Sequence, residues 1–389
     1  MNTPHIMAKP TGSKCNIDCE YCFYLEKEKL YPDRSDWRMS DDVLDTYIRK
    51  TVDSQKAMPH CEFSWQGGEP TLMGIDFFEK AIALQKKYAG SKHCQNSFQT
   101  NGILIDEKWC TLFKNHNFLI GLSIDGEAKH HDIYRKTRSG KGTHYRVTQT
   151  LSLFRKHGVE FNAMTVIHKG NVNDPKGVYK ALKSYGCRHI QLTPLIERKA
   201  QEKTEDGLML INPDFSGQSK VTEWSITAEE YGSFMCGIFD QWKKKDVGKT
   251  FIYTFESTLA QMAGTGGASC ITRETCGDAI ALEANGDIYS CDHYVYPEHL
   301  VGNILTHDVD EIAKLDSQIN FGNAKRDNIS IDCKSCKYLR LCNGGCPKHR
   351  FEISSDGKPN KNYLCSGYKR YFAHTSIEFT NILSAIGKR

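Results

Sequence analysis

Three cysteines fall within eight residues near the start of the chain: Cys15, Cys19 and Cys22, spaced C-x3-C-x2-C and followed by Phe23 and Tyr24. Thiolates are soft ligands that suit zinc, Cu(I) or iron–sulfur clusters. Three on one loop are close enough to hold a single metal centre. A closed structural site takes four protein ligands, whereas three leave one position open for chemistry. Tyr21 and Phe23 flank the last cysteine, the placement expected where a flat ligand ring lies against the loop.

A second cysteine field opens at Cys270 and closes at Cys365. Cys276, Gly286 and Cys291 read C-x9-G-x4-C; Cys333, Cys336, Cys342, Cys346 and Cys365 read C-x2-C-x5-C-x3-C-x18-C. With Cys270 these are eight thiols, enough for two complete four-cysteine sets and two closed 4Fe–4S clusters. Zinc is the rival, because Cys333, Cys336, Cys342 and Cys346 also fit one four-cysteine ribbon. Spacing alone leaves the partition open. Cys61, Cys94, Cys110, Cys187 and Cys236 lie in or beside expected strands and helices and read as buried small hydrophobes.

The elements that must position these groups follow from periodicity. Short apolar stretches at 5–10, 61–66, 95–100, 118–125, 159–167 and 187–195 read as strands. Helical patterns fall between them: from Ser40, where a Ser cap precedes two acidic residues, then at 75–88, 106–115, 143–157 and 174–185. Six strands alternating with helices imply parallel βαβ units. In a closed or partial barrel, functional groups gather on loops after the strand C-termini. The cysteine loop, the loop at 67–70 and the loop at 125–135 all follow strands, so they can converge. Residues 25–39 read as a loop or short helix over the site, and 197–225 as a polar insertion near the mouth. Helices are expected at 227–245 and 253–263, and the texture changes near 255–268. The expected domains are 1–255 and 256–389.

The 389 residues are 39% hydrophobic and 25% charged, ordinary for a soluble globular protein. No apolar run approaches the ~20 residues of a membrane span, and residues 1–10 lack the basic and apolar regions of a signal peptide. The cytoplasm is therefore the expected compartment. Disulfides are rare there, so sixteen cysteines point to metal instead. A net charge of +4 is too mild to imply nucleic acid, though it suits a peptide partner.

The C-x3-C-x2-C-F-Y run resembles the radical S-adenosylmethionine (SAM) family, and the seven cysteines from Cys276 resemble the SPASM extension of its peptide-modifying members. Over residues 5–385 the chain resembles the anaerobic sulfatase-maturating enzymes, through AKPTGSKCNIDCEYCFYLEK, WQGGEPTLMG, GLSIDG and Cys291-Asp292-His293-Tyr294. The resemblance implies an α/β fold: a partial (β/α)6 TIM-like barrel with a cysteine-rich C-terminal domain holding iron–sulfur clusters. It implies three 4Fe–4S clusters and SAM. Cys15, Cys19 and Cys22 would bind the first cluster, whose fourth iron chelates SAM and whose electron cleaves it to a 5′-deoxyadenosyl radical. The tail sets would interleave: Cys270, Cys276, Cys291 and Cys346 in one, Cys333, Cys336, Cys342 and Cys365 in the other.

For SAM, the resemblance implies Gly68 and Glu69 at its amino group, within a Gly-Gly turn that lets a ligand approach backbone. Ser123 and Arg135 would hold its ribose and carboxylate, Arg by its planar fork. Tyr21, Gln66 and either Leu195 or Ile196 would wall the site. Asp292 would be the base in the oxidation of a sulfatase Cys or Ser to Cα-formylglycine without oxygen. Partners implied are an unfolded sulfatase polypeptide with a Cys/Ser-x-Pro/Ala-x-Arg motif and a flavodoxin- or ferredoxin-type electron donor. Tyr24, Tyr253, His293 and Tyr294 are candidate peptide contacts. Two alternatives stay open: another SPASM-type peptide modifier that forms thioethers or cross-links, and a non-enzymatic cysteine-rich regulator.

Overall fold

A computed structural model describes residues 4–30, 38–202, 204, 206–267 and 269–386. Its spine is a ten-stranded sheet. The strands are β1 (His5–Lys9), β2 (Cys61–Trp65), β3 (Cys94–Thr100), β4 (Leu119–Ser123), β5 (Phe161–Ile167), β6 (His189–Pro194), β7 (Phe251–Ile252), β8 (Ala279–Glu283), β9 (Asp287–Tyr289) and β10 (Leu300–Asn303). Their spatial order is 7-6-5-4-3-2-1-8-9-10. From β7 to β8 every pairing is parallel, which is the partial barrel; β9 and β10 then turn back antiparallel. All six strands read from sequence are present. The tail adds three to the same sheet, with β8 lying parallel to β1 in a register that puts Glu283 opposite Lys9.

Helices cover the outer face where their caps start them. In α1 (Asp41–Ser54) the Ser40 hydroxyl accepts from the Val43 N–H at 3.3 Å, and Asp41 and Asp42 favour the positive end of the helix. Then come α2 (Ile75–Ala89), α3 (Glu107–Asn115), capped by Asp106, α4 (His144–His157) and α5 (Pro175–Ser184), capped by Asp174 with Pro175 in its first turn. In α6 (Ala228–Lys245), Thr227 and Glu230 close a reciprocal capping box. Next are α7 (Tyr253–Met262), α8 (Asp316–Asp327) and the terminal α9 (Cys365–Ile386). The α6–α9 crossing is close because Gly232 and Gly367 face each other; a Cβ on Gly367 would meet the Ala228 carbonyl at 2.2 Å.

The core between sheet and helices is aromatic. Trp65 is fully buried edge-on to Tyr47 and Phe78, and Phe78 packs on Phe98 at 5.0 Å between ring centroids. The Trp65 indole N–H donates to Asn96 at 2.8 Å, so its polar atom is satisfied. Cys61, Cys110, Cys187 and Cys236 are buried as small hydrophobes, and Cys94 is half-buried. The segment expected at 25–39 is a 3-10 helix at Leu25–Leu30; residues 31–37 lie outside the described residues. The 197–225 insertion carries a two-stranded ribbon, Arg198–Ala200 with Ser219–Val221. Among the described residues no helix is long and apolar enough to cross a membrane.

Candidate active site

The loop bearing Cys15, Cys19 and Cys22 leaves the C-terminal end of β1 and is held from two sides. On one, Ile17–Cys19 pairs antiparallel with Arg135–Thr137, with Cys19 opposite Arg135, and Arg138 donates to the Cys15 carbonyl at 3.0 Å. On the other, the turn after β2 docks on it: Gly68 N–H donates to Gly12 O at 2.8 Å and Glu69 N–H to Lys14 O at 2.9 Å. A Cβ at Gly68 would lie 2.0 Å from the Lys14 carbonyl, so only glycine allows this contact. Asn101, after β3, donates to Asn16 at 2.7 Å and to the Cys15 sulfur at 3.6 Å. Loops after β1, β2, β3 and β4 therefore meet, as the strand order anticipates.

They enclose a cavity of about 260 Å³. Cys15, Cys19, Cys22, Tyr21, Gln66, Gly68, Ser123, Arg135, Leu195 and Asp292 all line it. Glu69, expected at the SAM amino group, and Ile196, the alternative to Leu195, are not on it. Glu69 is fully buried: Thr71 N–H, Thr71 and Thr100 hydroxyls and Asn101 N–H donate to its two oxygens at 2.6–3.1 Å. Its carboxylate ties the β2 and β3 loops together and caps the turn at Pro70 instead of facing a ligand. Ile196 turns into the main core, and Leu195 alone of that pair faces the cavity beside Cys19 and Tyr21. Arg135 does reach the cavity, but its Nε and Nη2 lie 2.6 and 3.2 Å from Asp125, a residue the motif reading passed over.

Asp292 comes from the tail. It follows Cys291 in a short turn and forms an ion pair with Lys9, whose ammonium lies 3.9 Å over the Tyr24 ring. Burial pushes the Asp292 carboxyl up, but Lys9, His293 and Lys348 outweigh it and the net direction is down. The Tyr24 hydroxyl donates to Glu283, which burial raises to about 8. Neither Lys9 nor Glu283 was flagged from sequence; only the β1–β8 pairing brings them here. Of the candidate peptide contacts, Tyr24 and His293 line the cavity, whereas Tyr253 and Tyr294 do not. Tyr294 packs on His299 and Phe321.

The tail thiols gather in two places. Cys333, Cys336, Cys342 and Cys365 line one small pocket with Tyr368 and Phe372. Cys346 instead faces the main cavity, and burial pushes the Cys276, Cys291 and Cys346 thiols up, with Cys270 close enough to each to add to it. Lys325 clamps the loop between them, donating to the carbonyls of Cys270, Ile271 and Arg273.

Residues 10–191 match the radical SAM superfamily, and residues 270–337 match the SPASM iron–sulfur cluster-binding domain. A serine-type anaerobic sulfatase-maturating enzyme of Bacteroides thetaiotaomicron is 42% identical, covering 96% of this chain and 89% of that one. The chain belongs to the anaerobic sulfatase-maturating enzymes. A cysteine-type member of the family from Clostridium perfringens is 32% identical over 98% of each chain. A solved structure, native anSMEcpe with bound AdoMet and Cp18Cys peptide, superposes with a TM-score of 0.85 at 30% identity, covering 98% of this chain and 99% of that one.

The residues of this sulfatase-maturating enzyme fit the cofactors of its family. Burial pushes the Cys15 and Cys22 thiols up, so thiolates at these positions call for a bound cation to compensate them. Among the described residues no three His, Cys, Asp or Glu side chains close around a single metal ion. Four thiols lining one small pocket fit a cluster, and the radical SAM enzyme carries iron–sulfur clusters and SAM.

Proposed function

We propose that this radical SAM oxidoreductase converts an active-site Cys or Ser of an unfolded sulfatase polypeptide into Cα-formylglycine without oxygen, with Asp292 as the base. Residues 1–255 carry the SAM site and 256–389 the two closed clusters. Cys15, Cys19 and Cys22 hold the open cluster. Tyr21, Gln66, Gly68, Ser123, Arg135 and Leu195 hold SAM against it. One tail cluster takes Cys270, Cys276, Cys291 and Cys346, and the other Cys333, Cys336, Cys342 and Cys365.

When bound, these groups supply removal of a hydrogen atom from the substrate Cβ and acceptance of one further electron. The chain's own residues do the rest. Asp292 takes the proton from the thiol or hydroxyl on the same carbon. Lys9 keeps Asp292 ionised and aimed into the cavity. Phe23 and His293, with ring centroids 5.0 Å apart, wall the space between thiols and base and keep water from the reacting carbon. Loss of one hydrogen atom, one proton and one electron leaves an aldehyde from Ser or a thioaldehyde from Cys, which water converts to the aldehyde with release of sulfide. The partner motif is Cys/Ser-x-Pro/Ala-x-Arg, the reductant a flavodoxin- or ferredoxin-type protein, and the compartment the cytoplasm.

The observation that carries this reading is that Asp292 shares one cavity with Cys15, Cys19 and Cys22. The test is anaerobic reconstitution with SAM, a reductant and a peptide carrying Cys-x-Pro-x-Arg, read by mass spectrometry. An aldehyde trapped by a hydrazine at the target residue is the expected result. SAM cleavage with an intact peptide would move the assignment to another peptide substrate. Iron and sulfide without SAM cleavage would leave a cluster protein with a regulatory role.

A further inference from the structure

Asp125 lies in the GLSIDG segment just after β4 and is fully buried, a carboxylate with no solvent to hold its charge. Four donors converge on it. One oxygen receives the Tyr21 hydroxyl at 3.0 Å and Arg135 Nε at 2.6 Å; the other receives Arg135 Nη2 at 3.2 Å and the Val166 N–H at 2.8 Å. His168, wholly buried, lies with Nε2 3.8 Å from the first oxygen, and its Nδ1 accepts from the Gly170 N–H. All four donors belong to residues on the cavity wall: Tyr21, Arg135 and Val166. The two side chains come from different loops: Tyr21 lies between Cys19 and Cys22, and Arg135 opposes Cys19 across a strand pair. Burial disfavours the Asp125 charge, but Arg135 and His168 outweigh it and hold the group down to about 2.

We propose that Asp125 is the positioning residue that locks Tyr21 and Arg135 into one rigid wall and thereby sets the affinity for SAM. The proposal rests on the reading of this cavity as the SAM site. It follows from hydrogen-bond counting. The strand pair fixes the two backbones, but the tyrosine hydroxyl and the guanidinium at the ends of their side chains need a shared partner to hold one orientation. A fully buried carboxylate that accepts from both, and from the backbone of β5, fixes them against the sheet. Asp125 touches no reacting atom; it acts through its two partners.

Asp125→Asn in the full-length reconstituted enzyme is the test. An amide presents one acceptor oxygen and one donor nitrogen where Asp125 receives donors on both oxygens, so Arg135 or Tyr21 must turn away. The expected result is a SAM dissociation constant raised roughly tenfold or more, as for loss of a hydrogen bond to a charged group. Iron content, sulfide content and peptide KM should stay unchanged. Tyr21→Phe should then cost less in the Asp125→Asn background than in the wild-type enzyme, because the amide cannot hold both partners at once. A shift under fivefold, loss of iron from the variant, a changed peptide KM or additive effects of the two substitutions overturn the assignment. Wild-type protein that binds no SAM overturns the reading of the cavity itself, and this proposal with it.

Discussion

Asp292→Asn separates the proposed base from the fold around it. The substitution keeps the shape of the side chain and removes its charge. Two effects follow, of different kinds. The first is catalytic: a positioned proton acceptor contributes about 10²–10⁴ in rate, so formylglycine formation should fall by that factor. That is roughly 3–5 kcal/mol of barrier at 1.36 kcal/mol per tenfold. The second is structural. Lys9 is 2% exposed and loses its anion. Removing one partner of a buried pair costs roughly 3–5 kcal/mol. Here about 3 kcal/mol is expected, the low end of that range, because Asp292 keeps 22% side-chain exposure. One anaerobic assay distinguishes them, following SAM cleavage and trapped aldehyde together while thermal melting reports stability. SAM should still be cleaved, with all iron retained, while aldehyde lags. Adding Lys9→Met should restore part of the melting temperature and none of the aldehyde rate. Aldehyde formed within threefold of the wild-type rate would refute the base assignment. Loss of SAM cleavage in step with the aldehyde would mean that Asp292 shapes the cavity instead.

Three further expectations rest on other parts of the chain. Cys15→Ala should abolish SAM cleavage while tail iron stays in place, checked by iron and sulfide counts; loss of all iron would mean the clusters assemble as one unit. Gly68→Ala forces a Cβ to 2.0 Å from the Lys14 carbonyl, so the cysteine loop must shift; SAM affinity should collapse with little change in tail iron, and an unaltered affinity would refute the close-contact role. Lys27 is buried with its ammonium 2.9 Å over the Tyr296 ring, and burial first, then Lys348, lowers it to about 6. The unfolded chain therefore binds the extra proton above that pH, and stability should rise with pH, by about 1 kcal/mol from pH 6 to 7 and slightly more to pH 8. Lys27→Met should lose that slope, and parallel melting curves for the two proteins across pH 6–8 would show that Lys27 is not neutral inside.

What the sequence made legible was local. Six strands and their helices follow from alternation and from caps such as Ser40. The open cysteine loop follows from spacing alone. Contacts between distant segments were out of reach. The AIALE stretch of β8 reads only as a short apolar run, and nothing in it says that it pairs with β1, over 270 residues earlier. Leu195 and Ile196 lie just past the end of β6, where the two-residue period stops, so parity could not decide which faced the cavity. Glu69 left a signal that was missed: an acidic residue directly before Pro70 and Thr71 is placed to cap the short helical turn there.

The β1–β8 pairing matters most, because it joins the two chemistries. Lys9, the last residue of β1, stands at the root of the cysteine loop and opposite Glu283, the last residue of β8. From that one position it contacts the Tyr24 ring on the loop side and Asp292 on the tail side. Had the tail folded as a separate sheet, the distance from Cys22 to Asp292 would depend on a linker. As the tenth-strand arrangement stands, that distance is set by backbone hydrogen bonds between parallel strands, which hold the two walls of the cavity in fixed register. A reaction that must take a hydrogen atom and a proton from one substrate side chain requires such fixed placement of its two acceptors.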